Sequence, residues 1–337
     1  MTIRDIADLA GVSKSTVSRV INNSPNVNEK TREKVMHIMD ETNFFPSAIA
    51  QGLSRHYANT IGVLLPETGG PFFGKVIQGI NKALIDTPYT ILLCCTENKA
   101  EYEMRALDNL LQQKVSGILL TSSSDFCENE SARRIRKTLN SFQVPIVLID
   151  RALKNSMWGG VYSDNSAGAY MATEALIKKG FKKIGAFISD ISLSIGEQRY
   201  KGFTQAMDDY GIPVEEEFVV TEKFPLSMHE VYLKTCEMAE AGNIPEAIFL
   251  GNGIIADGFY KAILEKGIAP GKDVHCVGFD YSQFLDIIHF PYSYLERNSV
   301  LLGETAAKLL LKSFSDLSGI RQEYIIPSAL RLDGSLQ

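Results

Sequence analysis

Nine short apolar, β-branched runs recur along the chain, at residues 61–65, 90–94, 117–120, 146–149, 161–163, 184–188, 218–220, 247–250 and 274–279. Amphipathic stretches separate them, so each successive pair reads as a strand-helix-strand unit. Strands that are apolar on both faces need helices above and below a parallel sheet. Four runs precede residue 150 and five follow it, which predicts two Rossmann-like sheets. Doubly wound sheets placed side by side leave a cleft at the carboxyl ends of their strands, where such folds take ligands. The spacing predicts a first lobe over about 60–160 and 292–321, and a second over about 161–291 and 322–337. Segments 292–295, 299–314 and 323–326 are expected to cross between the halves.

At 337 residues the chain is about twice the length of a typical domain, leaving room for a further unit before residue 60. A hydrophobic share of 45% with 22% charged residues excludes a disordered chain. No stretch approaches the roughly 18 consecutive apolar residues of a membrane span. The opening Met1-Thr2-Ile3-Arg4-Asp5 has none of the apolar core of a secretory signal, so a cytoplasmic protein is expected. Five scattered cysteines (Cys94, Cys95, Cys127, Cys236, Cys276) show no Cys-x-x-Cys spacing and predict free thiols, no metal site and no cofactor. Core packing is the expected role of the Cys94-Cys95 pair.

The net charge of −6 conceals an asymmetry: residues 1–57 hold seven Lys/Arg against six Asp/Glu, leaving 27 against 34 for the other 280. Only that first segment is suited to face nucleic acid. Thr2-Ile3-Arg4-Asp5 is a capping box for a helix with Ile6, Leu9 and Ala10 as its apolar stripe. Gly11-Val12 breaks it, and Ser13 caps a second helix carrying Val17, Val20 and Ile21. Asn28 starts a third, with Thr31, Val35, Ile38 and Met39 inward, which stops before Pro46. The outward residues Lys14, Ser15, Thr16, Ser18, Arg19 and Asn22 suit a recognition helix, although any solvated helix face is also polar. Clustered Ser/Thr donors beside one Arg are the set that phosphate oxygens and a guanine edge require.

The ungapped run Ile3-Arg4-Asp5-Ile6-Ala7-Asp8-Leu9-Ala10-Gly11-Val12-Ser13-Lys14-Ser15-Thr16-Val17-Ser18-Arg19-Val20-Ile21-Asn22 resembles the signature of the lactose/galactose-repressor (LacI/GalR) family. The resemblance continues through Thr31-Arg32-Glu33-Lys34-Val35 and Phe45-Pro46-Ser47-Ala48-Ile49-Ala50-Gln51-Gly52-Leu53, and along the whole chain. It implies an all-α helix-turn-helix headpiece over 1–46, a hinge helix and linker over 47–58, and an α/β effector and dimerisation domain over 59–337, similar to periplasmic sugar-binding proteins of type I. It further implies that Lys14, Ser15 and Arg19 touch bases, that Ser13, Thr16, Ser18 and Asn22 hold phosphates, and that Leu53 wedges into the minor groove, where unstacking a base step bends the duplex. Gln51 and Gly52 depart from the family's usual Arg and small polar residue. Glycine weakens a helix by about 1 kcal/mol relative to alanine, so this hinge is expected to depend more than usual on DNA for its order.

At the strand ends, Phe72 and Phe73 suit stacking on a sugar ring or, equally, a helix-start core. Asp164 reads as a helix cap. By the resemblance Arg199, Asn252 and Asp280 contact the effector; together they suit vicinal hydroxyls, while an Arg199–Asp280 salt bridge across the cleft is the rival reading. Arg151 adds a second cation, and two arginines favour an acidic effector. Relatives mostly carry Asp where this chain has Gly253, which puts the contact there in doubt. The same change creates Gly251-x-Gly253-x-x-Ala256, a dinucleotide fingerprint and the basis of an alternative reading as an NAD(P)-dependent oxidoreductase. No catalytic or metal constellation accompanies it among His37, His56, His229, His275 and His289, so no enzyme is expected. One helix-turn-helix reads few base pairs, so a repressor would bind a palindromic DNA operator as a homodimer, under control of a small carbohydrate-type effector. The segment 331–337 carries no leucine heptad, which favours dimers over tetramers, and Asp333 replaces an arginine common in relatives without physical explanation.

Overall fold

The computed structural model describes residues 1–21, 24–42, 58–123, 130–153, 156–222, 227–287, 289–290, 292–315, 321–333 and 336. It separates into two compact units, Met1–Asn59 and Thr60–Gln337.

The first unit holds α1 (Ile3–Ala10), α2 (Lys14–Ile21) and α3 (Glu29–Glu41). The capping box forms: the Asp5 carboxylate accepts from the Thr2 N–H at 2.7 Å while Thr2 accepts from the Asp5 N–H. Gly11 ends α1 at φ +64°, a left-handed position that favours glycine. Ser13 Oγ accepts from the Thr16 N–H at 3.1 Å, and Asn28 Oδ1 from that of Thr31 at 2.8 Å, so the other two helices start where the capping residues stand. Ile6, Ala7, Ala10, Val17, Val20 and Val35 form a core belonging to this unit alone. Leu9 corrects the expected stripe: it is 56% exposed, and Ala7 takes the inner place, because the Ile6–Ala10 row of the helix turns position 9 outward.

The second unit contains two six-stranded sheets. The first is built from β1 (Thr60–Leu65), β2 (Thr90–Cys95), β3 (Gly117–Leu120), β4 (Ile146–Ile149), β5 (Gly160–Ser163) and a late strand, Glu323–Ile326. Its helices are α4 (Pro71–Leu84), α5 (Ala100–Gln112) and α6 (Glu130–Ser141). The chain then enters the second lobe through α7 (Asn165–Lys178), β6 (Ile184–Ser189), α8 (Ser194–Asp209), β7 (Val219–Glu222), α9 (Met228–Glu240), β8 (Ala247–Leu250), α10 (Gly253–Glu265), β9 (His275–Phe279), α11 (Gln283–Ile287) and β10 (Ser293–Arg297). It returns as α12 (Ser299–Ser313), which packs on the first lobe, and β11 (Glu323–Ile326), then crosses again to β12 (Ser328–Arg331). The sheet orders are β11-β5-β4-β3-β1-β2 and β12-β10-β9-β8-β6-β7. Among the described residues all strand pairings are parallel except that of β10 with β12.

Strand membership differs from the sequence expectation at three places. Residues 161–163 and 323–326 belong to the first sheet, and 292–295 lead into the second. Among the described residues the connection from β4 to β5 contains no helix, so the strand-helix series falsely ends at Ile149 and β5 reads as a fresh start. The true crossings are single-residue joints at Asp164, Asn298 and Pro327, too short to register as linkers.

Candidate functional site

A cavity of about 750 Å³ lies between the carboxyl ends of the two sheets. Phe72, Phe73, Arg151, Arg199, Asn252 and Asp280 all line it. Phe73 is 6% exposed and belongs to the core of the first lobe, the helix-start role, whereas half-buried Phe72 lines the cavity with its ring against the Arg297 guanidinium.

The cavity is also lined by a guanidinium that the sequence reading missed. Arg297, the last residue of β10, donates through Nε and Nη2 to the two oxygens of Asp280 at 2.5 and 2.7 Å, and through Nη1 to Asp150 Oδ1 at 2.9 Å. Asp150 follows β4 in one lobe and Asp280 follows β9 in the other, so one cation ties the lobes together. Burial opposes its charge, but the two carboxylates outweigh that and hold its pKa above the usual arginine value. Its Cζ lies 3.5 Å from the centre of the Phe72 ring. The strand-end position is the available signal for Arg297, lost because the sequence spacing places 292–295 in the other lobe.

The expected Arg199–Asp280 rival pairing does not form. Arg199 instead donates through Nε to Asn165 Oδ1 at 3.0 Å and through Nη1 to the Gly251 carbonyl at 2.5 Å, with its guanidinium 3.9 Å from the Phe279 ring centre. It is 2% exposed, and burial, reinforced by the nearby Arg297 charge, lowers its pKa to about 10, which leaves it cationic at neutral pH. Arg151 donates to the Ser122 carbonyl at 2.8 Å. Behind it, fully buried Glu103 accepts from the Ser122 hydroxyl at 2.8 Å and from the N–H and hydroxyl of Ser123, and burial pushes its carboxyl pKa up.

Asn252 caps α10 by accepting from the Ile255 N–H at 2.8 Å, and Asp164 caps α7 through the Ala167 N–H at 3.0 Å. A β-carbon added at Gly253 would meet only the Tyr281 carbonyl, at an ordinary 3.6 Å, so space does not require glycine there. Cys94 packs on the first-lobe core, but Cys95 corrects the core-packing expectation for the pair: it is exposed and lines the cavity, because β2 is an edge strand. Among the described residues no His/Cys/Asp/Glu group could hold a metal ion, and no helix is long and apolar enough to cross a membrane.

In the first unit Lys14, Ser15 and Arg19 are exposed on α2, opposite buried Val17 and Val20. Ser13 Oγ shares hydrogen bonds with Ser15 Oγ at 2.7 Å and Thr16 Oγ1 at 2.8 Å; Thr16 and Ser18 are half-buried. Asn22, Gln51, Gly52 and Leu53 lie outside the described residues.

Residues 58–311 match the family described as periplasmic binding proteins and sugar binding domain of LacI family, and residues 2–47 match bacterial regulatory proteins, lacI family. The chain belongs to the LacI family. It is 30% identical over 312 residues to the HTH-type transcriptional repressor PurR of Actinobacillus pleuropneumoniae serotype 3 (strain JL03), covering 92% of this chain and 90% of that protein. It is 29% identical over 311 residues to the ribose operon repressor of Haemophilus influenzae, covering 92% and 91%. The fold matches the lac repressor dimer bound to operator and the anti-inducer ONPF with a TM-score of 0.85 at 24% identity, covering 100% and 99% of the two chains. As a LacI-family member the chain is a DNA-binding transcription repressor with a sugar-binding-type domain, and not an enzyme; the Gly251-x-Gly253-x-x-Ala256 turn serves to start α10.

Proposed function

We propose that this LacI-family regulator represses transcription in the cytoplasm as a homodimer on a palindromic operator, and that a small carbohydrate-type effector in the cleft controls its grip. Residues 1–46 would read the DNA, with Lys14, Ser15 and Arg19 on base edges and Ser13, Thr16, Ser18 and Asn22 on phosphates. Residues 47–58 would form the hinge with Leu53 as the minor-groove wedge, and 59–337 the effector and dimerisation domain. Phe72, Phe73, Arg151, Arg199, Asn252 and Asp280 would hold the effector.

The observation that carries this reading is the convergence of those six side chains, drawn from five separate segments of both lobes, on one cavity. A ligand there touches both lobes and so shifts their arrangement by its difference in affinity for the two states. The exposed Lys14, Ser15 and Arg19 on a short helix support the DNA role, because their hydrogen-bonding groups face solvent while Val17 and Val20 hold the helix to its core.

Selection of duplexes by the purified protein from a random library tests the DNA half. The expected product is a near-palindrome with half-sites about one helical turn apart, whose binding is lost on Arg19→Ala. Enrichment of no common sequence would overturn it.

A further inference from the structure

We infer that Arg297 is an interlobe latch: it holds the two lobes together before any effector arrives, in the arrangement that the effector then reinforces. The inference rests on the cleft being the effector site and adds how that site is regulated.

Arg297 belongs to the second lobe, as the last residue of β10. Two of its partners belong to the first lobe: Asp150, one residue past β4, and Phe72 in the first turn of α4. It also stands one residue before Asn298, one of the three single-residue joints between the lobes. Hinge motions are absorbed at such element ends, so a change of angle at this joint acts on Arg297 directly. Lys75 on α4 adds a weaker contact across the cleft, with its Nζ 5.3 Å from the centre of the Tyr281 ring.

A buried ion pair joins two bodies only when its hydrogen bonds are well made, because lost hydration opposes it. Here they are well made. Asp280 accepts through both oxygens and Asp150 through one, and the Arg297 and Asp150 side chains are 5% and 4% exposed. The raised pKa of Arg297 says that the carboxylates outweigh the loss of water. Asp280, in the same lobe as Arg297, orients the guanidinium, and the Asp150 bond is the part that joins the lobes.

The latch does not fill the cleft. A cavity of about 750 Å³ remains beside it with both lobes in its wall, so an effector has room to enter with the latch made. A ligand that touches both lobes favours the arrangement in which they are together, by its difference in affinity for the two states. Latch and effector therefore push the same equilibrium in the same direction, and the latch raises the fraction of protein ready to bind. A rule of sign follows. Whichever way the effector moves operator affinity, loss of the latch moves it the other way.

Asp150→Asn tests this cleanly, because Arg297 stays paired with Asp280 inside the second lobe and no buried charge is stranded. Fluorophores are placed at exposed Lys137 in the first lobe and exposed Lys272 in the second, with labelled full-length chain diluted into unlabelled chain. Without effector, the distance distribution is expected to shift to longer separations in Asp150→Asn, and by less in Phe72→Leu. A thermal-shift screen of glucose, ribose, cellobiose, gluconate and glucose 6-phosphate supplies a cleft ligand. Ligand-free operator affinity of Asp150→Asn is expected to change by about fivefold or more, opposite in sign to the effect of that ligand on the wild type. An unchanged distance distribution in the folded variant, or an operator shift of the same sign as the ligand's, overturns the latch. Failure of every probe to raise Tm counts against the effector cleft instead, and the distance measurement, which needs no ligand, still decides the latch.

Discussion

Asp150 and Asp280 occupy matching places in opposite lobes and close on the same guanidinium. Each stands one residue past a buried parallel strand, with left-handed backbone at φ +66° and +89°, a conformation sparsely populated outside glycine. Arg297 reaches Asp150 at 2.9 Å and Asp280 at 2.5 Å, and the Arg297 and Asp150 side chains are 5% and 4% exposed. Removing the cation leaves two buried or half-buried acids without a partner. Arg297→Ala is therefore expected to destabilise the second unit by about 3–5 kcal/mol, read from urea unfolding. A loss within about 0.5 kcal/mol, the range of ordinary surface changes, would contradict this description of the triad.

The backbone that presents Asp280 has its own support. The Tyr292 hydroxyl donates to the Asp280 carbonyl at 3.2 Å, and a β-carbon placed on Gly278 would stand 1.5 Å from that hydroxyl oxygen. Gly278→Ala must displace a buried ring, so a loss of about 1–3 kcal/mol together with weaker ligand binding is expected. Tyr292→Phe keeps the ring and removes one hydrogen bond, at a cost of about 1 kcal/mol. Equal effects of the two substitutions would mean that the close approach to Gly278 is unimportant.

Buried Glu103 gives a pH dependence with a definite sign. Its folded pKa lies above the ordinary 4.5, chiefly through burial, so the native state binds the proton more tightly than the unfolded state. Its contribution is thus most favourable below 4.5 and is lost as pH rises through the higher folded value. Urea midpoints taken from about pH 4 to about pH 8 should show this decline in the wild type and its absence in Glu103→Gln. Parallel curves for the two proteins would refute the assignment.

The separate cores predict separable losses. Ile6 is fully buried in a cluster drawn only from the first unit. Ile6→Ala is expected to cost about 2–5 kcal/mol, enough to melt so small a core and abolish operator binding. The ligand-induced rise in the Tm of the second unit should survive. Loss of both activities together would show that the units do not fold independently.

Local signals made the helix starts legible: Thr2 with Asp5, Ser13 and Asn28 each cap where their side chains allow. Buried parallel strands were equally plain as apolar runs. Their distribution between the sheets was not, because strand pairing is non-local and a four-residue strand such as β5 has the same composition in either lobe. That gap hid the Arg297 triad. Asp280 is visible after its strand, but its partner lies 17 residues later on a strand that the apolar pattern alone places in the first lobe and the structure in the second. Leu9 failed for a simpler reason: a short helix with five apolar positions, Ile3, Ile6, Ala7, Leu9 and Ala10, fits more than one stripe, and packing against Val17, Val20 and Val35 selects Ile6, Ala7 and Ala10.

Coupling between the cleft and the DNA is the central claim, and an anisotropy titration of the selected duplex at moderate salt, with and without the best cleft ligand, tests it most directly. The account predicts that the wild type prefers the duplex over a scrambled one by about 10³-fold or more. It also predicts that ligand changes operator affinity by at least about fivefold in either direction, and that Arg199→Gln abolishes this change while keeping ligand-free operator binding. Operator affinity that stays the same when the cleft is saturated would contradict it.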